Sequence, residues 1–225
     1  MAKRLFDLLF GSIGVVLSAP IVLLSGICIR VSSPGPVFYP ARRVGRYGVP
    51  FTMWKLRTMH VQNGNSSSIT APDDERVFAF GRLIRNLKID ELPQFWNVVR
   101  GDLSIVGPRA EAPEIVENFY TSWMRETLSV RPGLTSPGAI YNYIMADRLL
   151  DPGDPEMSYV NELMPAKLAL ERAYLERASL RRDLMYIGLT VWAIVGRALG
   201  FNARLPESDI ARAQVWASEG LFRGL

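Results

Sequence analysis

Thiol and imidazole chemistry is almost missing from this sequence, which holds one cysteine and one histidine in 225 residues. Cys28 lies inside an apolar run and can form no internal disulfide. With His60 alone, a zinc site of the usual Cys/His kind has no ligand set. Acid–base work therefore falls to carboxylates, lysine or tyrosine. Also missing are a Walker loop, a dinucleotide fingerprint after a strand, a helix-turn-helix pattern and any internal repeat. Neither sign of charge dominates: 26 Lys and Arg against 22 Asp and Glu leave +4 and a pI near 9.4, spread along the chain. That balance suits an anionic partner, whether nucleic acid, a phosphorylated substrate or an acidic membrane surface. No single helix gathers the basic residues, so nucleic acid is the weakest of the three.

What is present begins with apolar length. Leu8 to Ile29, "LLFGSIGVVLSAPIVLLSGICI", runs for 22 residues without a charge, and at about 1.5 Å per residue a straight helix of that length just spans a bilayer. A secretory signal fits poorly, because the run is long, carries Pro20 in its middle and is followed by no clear small-residue cleavage site. Lys3 and Arg4 precede the run, and Arg30, Arg42, Arg43 and Arg46 follow it. Basic flanks on both sides favour a helix that enters one leaflet, bends and returns over one that crosses. Pro20 supplies the bend, and the Ser18 hydroxyl is placed to bond a freed carbonyl where no water is available. A Pro-kinked spanning helix remains the alternative.

The rest of the chain reads as a mixed but mainly helical unit with an apolar fraction of 48%, ample for a core. After the Pro/Gly turn "SSPGPVFY", the pieces "VFY" and "FTMWKL" flank "ARRVGRYGVP" as two short strands flank a Gly-rich loop. "VQNGNSSSITAPDDE" has no apolar period and reads as a mobile surface loop; its "NSS" matches a glycosylation acceptor, accidental if both membrane flanks are cytoplasmic. Val77 to Leu87 predicts a helix with Phe80, Leu83, Ile84 and Leu87 on one face and Arg82 and Arg85 off it. A second helix starts near Asp90, turns Leu92, Phe95, Trp96 and Val99 inward and stops at Gly101. "LSIVGPR" predicts a short buried segment turning at Gly107 and Pro108. Residues 165–182 predict a long scaffold helix with Pro165 in its first turn. The 13 uncharged residues between Asp183 and Arg197 predict a buried or interfacial helix at the membrane surface. In the tail 201–225, Ile210, Val215, Trp216, Leu221 and Phe222 predict a further amphipathic helix and a surface for homo-oligomer formation.

The adjacent acids of "KIDELPQF", Asp90 and Glu91, allow two readings. In one, Asp90 caps a helix, Glu91 is favoured there by the macrodipole, and Pro93 is tolerated because its amide would be unpaired anyway. In the other they are the centre of a phosphoryl-transfer site. Arginines crowd the segment beyond what a cap needs, and a carboxylate can approach a nucleotide diphospho-sugar only if cations first neutralise the phosphates. Arg85 and Arg109 then clamp oxygens, Asp90 attacks, and Glu91 holds Mg²⁺ as a hard ligand for a hard ion.

Taken together, "KRLFD", "SSPGPVFY", "RRVG", "KLRTM", "GRLIRNLKIDELPQFWNVVRGDLSIVGPR" and "RPGLT", in that order over residues 3–136, resemble the bacterial sugar transferase family, the small monotopic phosphoglycosyl transferases. The resemblance implies a membrane enzyme on the cytoplasmic face of the bacterial inner membrane. Such an enzyme moves a sugar-1-phosphate from a UDP-sugar to polyprenyl phosphate, usually undecaprenyl phosphate, releases UMP and so starts a surface glycan. It places the covalent nucleophile on Asp90, the magnesium partner on Glu91, phosphate contacts on Arg85 and Arg109, and the membrane-helix break on Pro20. Lys55, Arg57 and Arg131 are further candidate phosphate or headgroup contacts, with surface ion pairs or lipid contacts as alternatives. The expected organisation is α+β, mainly α: a re-entrant anchor over 1–31, a compact cytoplasmic catalytic domain with a small β-hairpin over 32–200, and the tail 201–225. The sequence departs from the family's pattern at Ala19-Pro20, where Ser-Pro is common, at Ala41, and at "TSPGAIY", Thr135 to Tyr141, where "TGWAQ" is common. Two rivals remain. One is a catalytically silent membrane scaffold that binds anionic lipid; the other is direct attack by the lipid phosphate in a ternary complex, with Asp90 holding metal.

Overall fold

A computed structural model describes residues 2–61, 69, 74–201 and 203–222. The protein is mainly helical, with two two-stranded sheets and one long apolar helix near the N-terminus. The surface loop expected over "VQNGNSSSITAPDDE", with its "NSS" at 65–67, falls almost wholly outside the described residues.

Helix α1, Ala2–Ser32, runs through Pro20 without a break in assignment. Ser18 Oγ donates to the carbonyl of Val15 at 3.3 Å. The carbonyl that Pro20 deprives of its amide partner is that of Val16, so the serine serves the neighbouring carbonyl, a correction to the sequence reading. Most of the helix surface is bare hydrocarbon, including Leu9, Val16, Leu17, Leu23, Leu24 and Val31. Its polar contacts sit at the two ends. Near the start, Arg4 donates to the carbonyls of Val98 and Val99, closing the last turn of helix α3, Gln94–Arg100. Buried Asp7 accepts from Ser104 Oγ and from the Ile105 amide at 2.9 and 3.0 Å. At the other end Ile29 is fully buried and Ser33 accepts from Arg57.

Strands β1, Phe38–Val44, and β2, Pro50–Leu56, pair antiparallel from Phe38 opposite Leu56 to Val44 opposite Pro50. The hairpin is therefore longer in strand and shorter in loop than expected: Ala41 and Val44 bury inward and extend the ladder through "ARRV". Helix α2, Ala79–Asn86, follows, and Gly81 and Ile84 are its buried residues. Leu83 and Leu87 face out, as does Trp96 of α3, whose buried residues are Gln94, Asn97 and Val98. The expected inward stripes were thus placed partly on the wrong side, because two different apolar surroundings, core and bare surface, compete for the same residue types. Asn97 explains the choice. Its Oδ1 accepts from the Trp54 amide, and its Nδ2 donates to the Thr52 carbonyl and to Asp102, tying α3 to β2.

Strand β3, Ser104–Val106, is fully buried as expected and pairs parallel with β4, Gly133–Thr135. Short helices α4, Pro113–Phe119, and α5, Ser122–Arg125, lie between them, and α6, Pro137–Leu149, follows, capped by Ser136. After α7, Pro155–Ser158, comes α8, Met164–Leu175, buried on nearly every face and the centre of the core. The long helix expected over 165–182 is broken here. Ser179 caps a new helix, α9, Leu180–Leu199, so the chain turns after Leu175. Helix α9 leaves Leu184, Val191, Trp192, Val195 and Leu199 exposed. In the tail, α10, Glu207–Ala213, packs on α8, and Ala203, Leu205, Ala213 and Phe222 enter the same core; Val215 stays exposed.

Two predictions concern the scaffold. A Cβ at Gly81 would lie 2.2 Å from the Thr58 carbonyl oxygen, so Gly81→Ala should lower stability by about 1–3 kcal/mol, read as the thermal midpoint in detergent; an unchanged midpoint would contradict the packing of α2 on the Thr58 backbone. Fully buried Glu171 accepts from the Arg109 amide and from Ser136 Oγ while Oε2 has no partner among the described residues. Burial pushes its carboxyl up to about 7. A carboxyl raised in the folded state favours folding below its unfolded pKa, and that contribution is lost as pH climbs toward 7, at most on the order of 3 kcal/mol. Stability should therefore fall between about pH 5 and 8, and Glu171→Gln, which keeps an accepting oxygen, should flatten the fall; an identical slope in both proteins would refute this.

Candidate active site

The acid pair sits in one turn of 3-10 helix, Ile89–Glu91, between α2 and α3. It does not cap: α3 begins at Gln94 after Pro93, and no side chain caps the start of either element. The turn is entered through Lys88 in the left-handed region at φ 57, a conformation that costs a non-glycine residue on the order of 1 kcal/mol and concentrates at functional sites.

Glu91 is gripped by cations. Arg109 Nη1 donates to Oε2 at 2.8 Å and Nη2 to Oε1 at 2.5 Å, a two-point fork, while Lys88 and Lys55 approach Oε1 at 3.4 and 3.5 Å. Burial alone would raise the carboxyl, but Arg109, Lys88 and Lys55 outweigh it and hold Glu91 well below its ordinary range. Asp90, one residue earlier, has the opposite surroundings. It is buried, and Oδ1 has no hydrogen-bond partner among the described residues. Burial, then the charge of Glu91, push its carboxyl up against the pull of Lys55, Lys88 and Arg85. Lys55 is itself lowered to about 8 by burial. Neighbouring carboxylates held this far apart in proton affinity are what one ionised anchor and one poised reactant require.

These residues border a cavity of about 260 Å³ lined by Lys55, Arg85, Lys88, Glu91 and Arg109 on one side and by Asn142, Tyr143, Asp147, Tyr159 and Arg197 on the other. Asp90 is buried and is not part of that lining. Five cations against two carboxylates leave a surplus of positive charge, the condition for receiving phosphates. Arg85 reaches Thr58 Oγ1 only at 3.5 Å, so most of its donors are uncommitted to that contact.

The structure brings together Asp90, Glu91, Arg85, Arg109 and Lys55. It does not bring Arg57 or Arg131 with them. Arg57 is buried and spends its donors on Ser33, Pro36 and Met59, clamping the end of α1 to the hairpin. Arg131 donates to the Gly101 carbonyl and joins the approach to β4 to the end of α3. Ser18 and Pro20 lie on α1, away from the cavity lining. Lys88, Tyr143, Asp147, Arg197 and Glu171 were not singled out from sequence. Lys88 adjoins the acid pair and carried a usable signal; the others reach the site from helices far along the chain and carried none.

Among the described residues no group of three or more His, Cys, Asp or Glu side chains could cage a metal. The donors present still suit Mg²⁺, which binds through one or two carboxylates and completes its shell with water and substrate phosphates. Glu91 Oε2 accepts one hydrogen bond, from Arg109, and keeps a second lone pair, and Asp90 Oδ1 is unpartnered.

The bacterial sugar transferase family model matches residues 1–197. A UDP-glucose:undecaprenyl-phosphate glucose-1-phosphate transferase of Caulobacter vibrioides is 36% identical over 195 residues, covering 85% of this chain and 68% of that protein. A UDP-N-acetylgalactosamine-undecaprenyl-phosphate N-acetylgalactosaminephosphotransferase of Aeromonas hydrophila is 32% identical over 206 residues, 90% of this chain but only 45% of that one. The exopolysaccharide production protein ExoY of Rhizobium meliloti is 32% identical over 211 residues, 86% of this chain and 85% of that protein. A match this long, on a chain whose Glu91 lines a cationic cavity, means that the protein belongs to the bacterial sugar transferase family.

Proposed function

We propose that this protein transfers a sugar-1-phosphate from a UDP-sugar to undecaprenyl phosphate at the cytoplasmic face of the bacterial inner membrane, starting a surface glycan. The observation that carries the reading is the pairing of a gripped Glu91 with an unpartnered Asp90 beside a cavity rich in lysine and arginine. The names of the relatives supply the substrate classes.

In the first step an Asp90 carboxylate oxygen attacks the sugar-linked phosphorus. The bond from that phosphorus to the bridging oxygen breaks, and UMP leaves with the electron pair. In the second, an oxygen of the lipid phosphate attacks the same phosphorus, Asp90 leaves as carboxylate, and a lipid diphospho-sugar forms. Arg85, Lys55 and Lys88 hold phosphate oxygens, and Arg109 keeps Glu91 oriented. Glu91 would hold Mg²⁺, which would supply charge neutralisation at the reacting group. Because Asp90 is buried and outside the cavity lining, attack requires the Lys88–Glu91 turn to open toward the cavity. The free Asp90 Oδ1 also favours a second reading, in which Asp90 holds the metal and the lipid phosphate attacks directly.

The anchor fits a re-entrant arrangement. Asp7 and Ile29 lie about 33 Å apart along a straight helix, comparable to a hydrocarbon core of about 30 Å, yet both are buried against the same folded body. A crossing helix would carry that body into the hydrocarbon. Exposed apolar side chains on α9, together with Leu83, Leu87 and Trp96, provide further surface to rest on lipid.

Purified protein with Mg²⁺, undecaprenyl phosphate and a panel of UDP-sugars should release UMP, and Asp90→Asn should reduce this by on the order of a thousandfold or more without shifting the unfolding midpoint. Silence of the wild type across the panel would favour a scaffold that only binds anionic lipid. UMP release that requires both substrates, without ping-pong kinetics, would favour direct attack.

A further inference from the structure

A second cavity, of about 180 Å³, lies against α9 and shares Tyr143, Asp147 and Arg197 with the first. The shared wall is a compact partition. Arg197 pairs with Asp147, donates to the Tyr143 carbonyl at 3.1 Å and lies over the Tyr143 ring, its guanidinium 5.0 Å from the centroid. Lys88 of the acid-pair turn stands 5.0 Å from the same centroid. Charge thus reaches both cavities through one aromatic ring. The Arg197–Asp147 pair is partly solvent-exposed and therefore weak, so an incoming anion can draw Arg197 away from it. Arg148 belongs to the second cavity alone, is exposed, and forms no ion pair among the described residues.

The other side of this cavity leads to an apolar surface. Helix α9 exposes Val191, Trp192, Val195 and Leu199. At Gly200, φ 83, the chain turns back and lays the Phe201 ring on Trp192 with centroids 4.8 Å apart. Phe201 also lines the cavity. Two packed rings therefore join the exposed apolar face to a pocket that holds a free arginine.

We propose that the second cavity receives the acceptor lipid, a polyprenyl phosphate whose phosphate sits between Arg148 and Arg197 and whose first isoprene units pass over Phe201 and Trp192 toward the apolar face of α9. This deepens the functional reading above and rests on it. The uridine of the donor is the competing occupant, but a neutral base draws little from two guanidinium groups. An anion with a hydrocarbon tail matches both ends of the pocket. Donor and acceptor phosphates then approach the Tyr143 partition from its two sides, and the acceptor reaches the phosphorus on Asp90 once Arg197 leaves Asp147 and the partition opens.

The test uses the full chain in nanodiscs and a farnesyl phosphate probe bearing a diazirine on its first isoprene unit. Photolysis should label the segments that carry Trp192 and Phe201, undecaprenyl phosphate should compete, and UDP-sugar should not. Arg148→Gln should weaken probe binding and raise the KM for undecaprenyl phosphate, each on the order of tenfold, and Arg148→Lys should recover part of the loss. Exchange of labelled UMP into UDP-sugar without lipid should be unchanged in Arg148→Gln. Labelling confined to α1, competition by UDP-sugar, or unaltered probe affinity in Arg148→Gln would each overturn the assignment. Labelling needs no turnover, so a wild type that is silent with every donor would defeat the functional reading separately from the lipid-site result.

Discussion

The two-point grip of Arg109 on Glu91 is the interaction on which the site depends. A buried carboxylate without a partner would be expelled or protonated; the fork keeps Glu91 ionised and fixes it at the cavity wall. The fork is itself held from behind, where the Arg109 amide donates to Glu171 on the central helix α8. Lys55 arrives from the hairpin, which Asn97 fastens to α3. Asp90 is left out of this arrangement, and that omission gives it a raised proton affinity and an oxygen with no structural duty.

The same contacts relate the site to the long apolar helix. Arg4 closes the end of α3, the helix that follows the acid-pair turn, and Asp7 bonds the start of β3, the strand that precedes Arg109. Arg57 fixes the far end of α1 to the hairpin that carries Lys55. In the proposed reaction, a helix bonded at both ends to the elements that form the cavity would place a soluble donor and a lipid acceptor within reach of one carboxylate. On that view the surplus of cations is as much a requirement of the membrane boundary as of the chemistry, since phosphates from both phases must converge there.

The acid pair, Arg85, Arg109 and the hairpin were legible because their signals are local: turn residues, adjacent charges and short periodic runs. Arg57 and Arg131 were not, because a basic side chain looks the same in sequence whether it binds phosphate or closes a carbonyl, and the Ser33 and Gly101 carbonyls they close lie more than twenty residues away. Trp96 and Leu83 were turned inward on periodicity, which finds an apolar stripe but cannot tell protein core from bare surface. The buried Gln94 and Asn97 face of α3 was hidden for the converse reason: polar residues that serve as internal ties read as solvent-facing. The division of residues 165–182 rested on Ser179, a cap inside a run of helix formers whose propensities masked it.

The central claim is that Asp90 becomes the covalent carrier of the sugar phosphate because Glu91 and the surrounding cations leave it both uncommitted and neutralised against an anionic donor. The most direct measurement is the intact mass of the protein after incubation with UDP-sugar and Mg²⁺ in the absence of lipid, followed by peptide mapping. The expected result is a mass increase of one sugar-phosphate on the peptide containing Asp90, discharged when undecaprenyl phosphate is added. An adduct on another residue, or none while turnover proceeds with both substrates present, would contradict it.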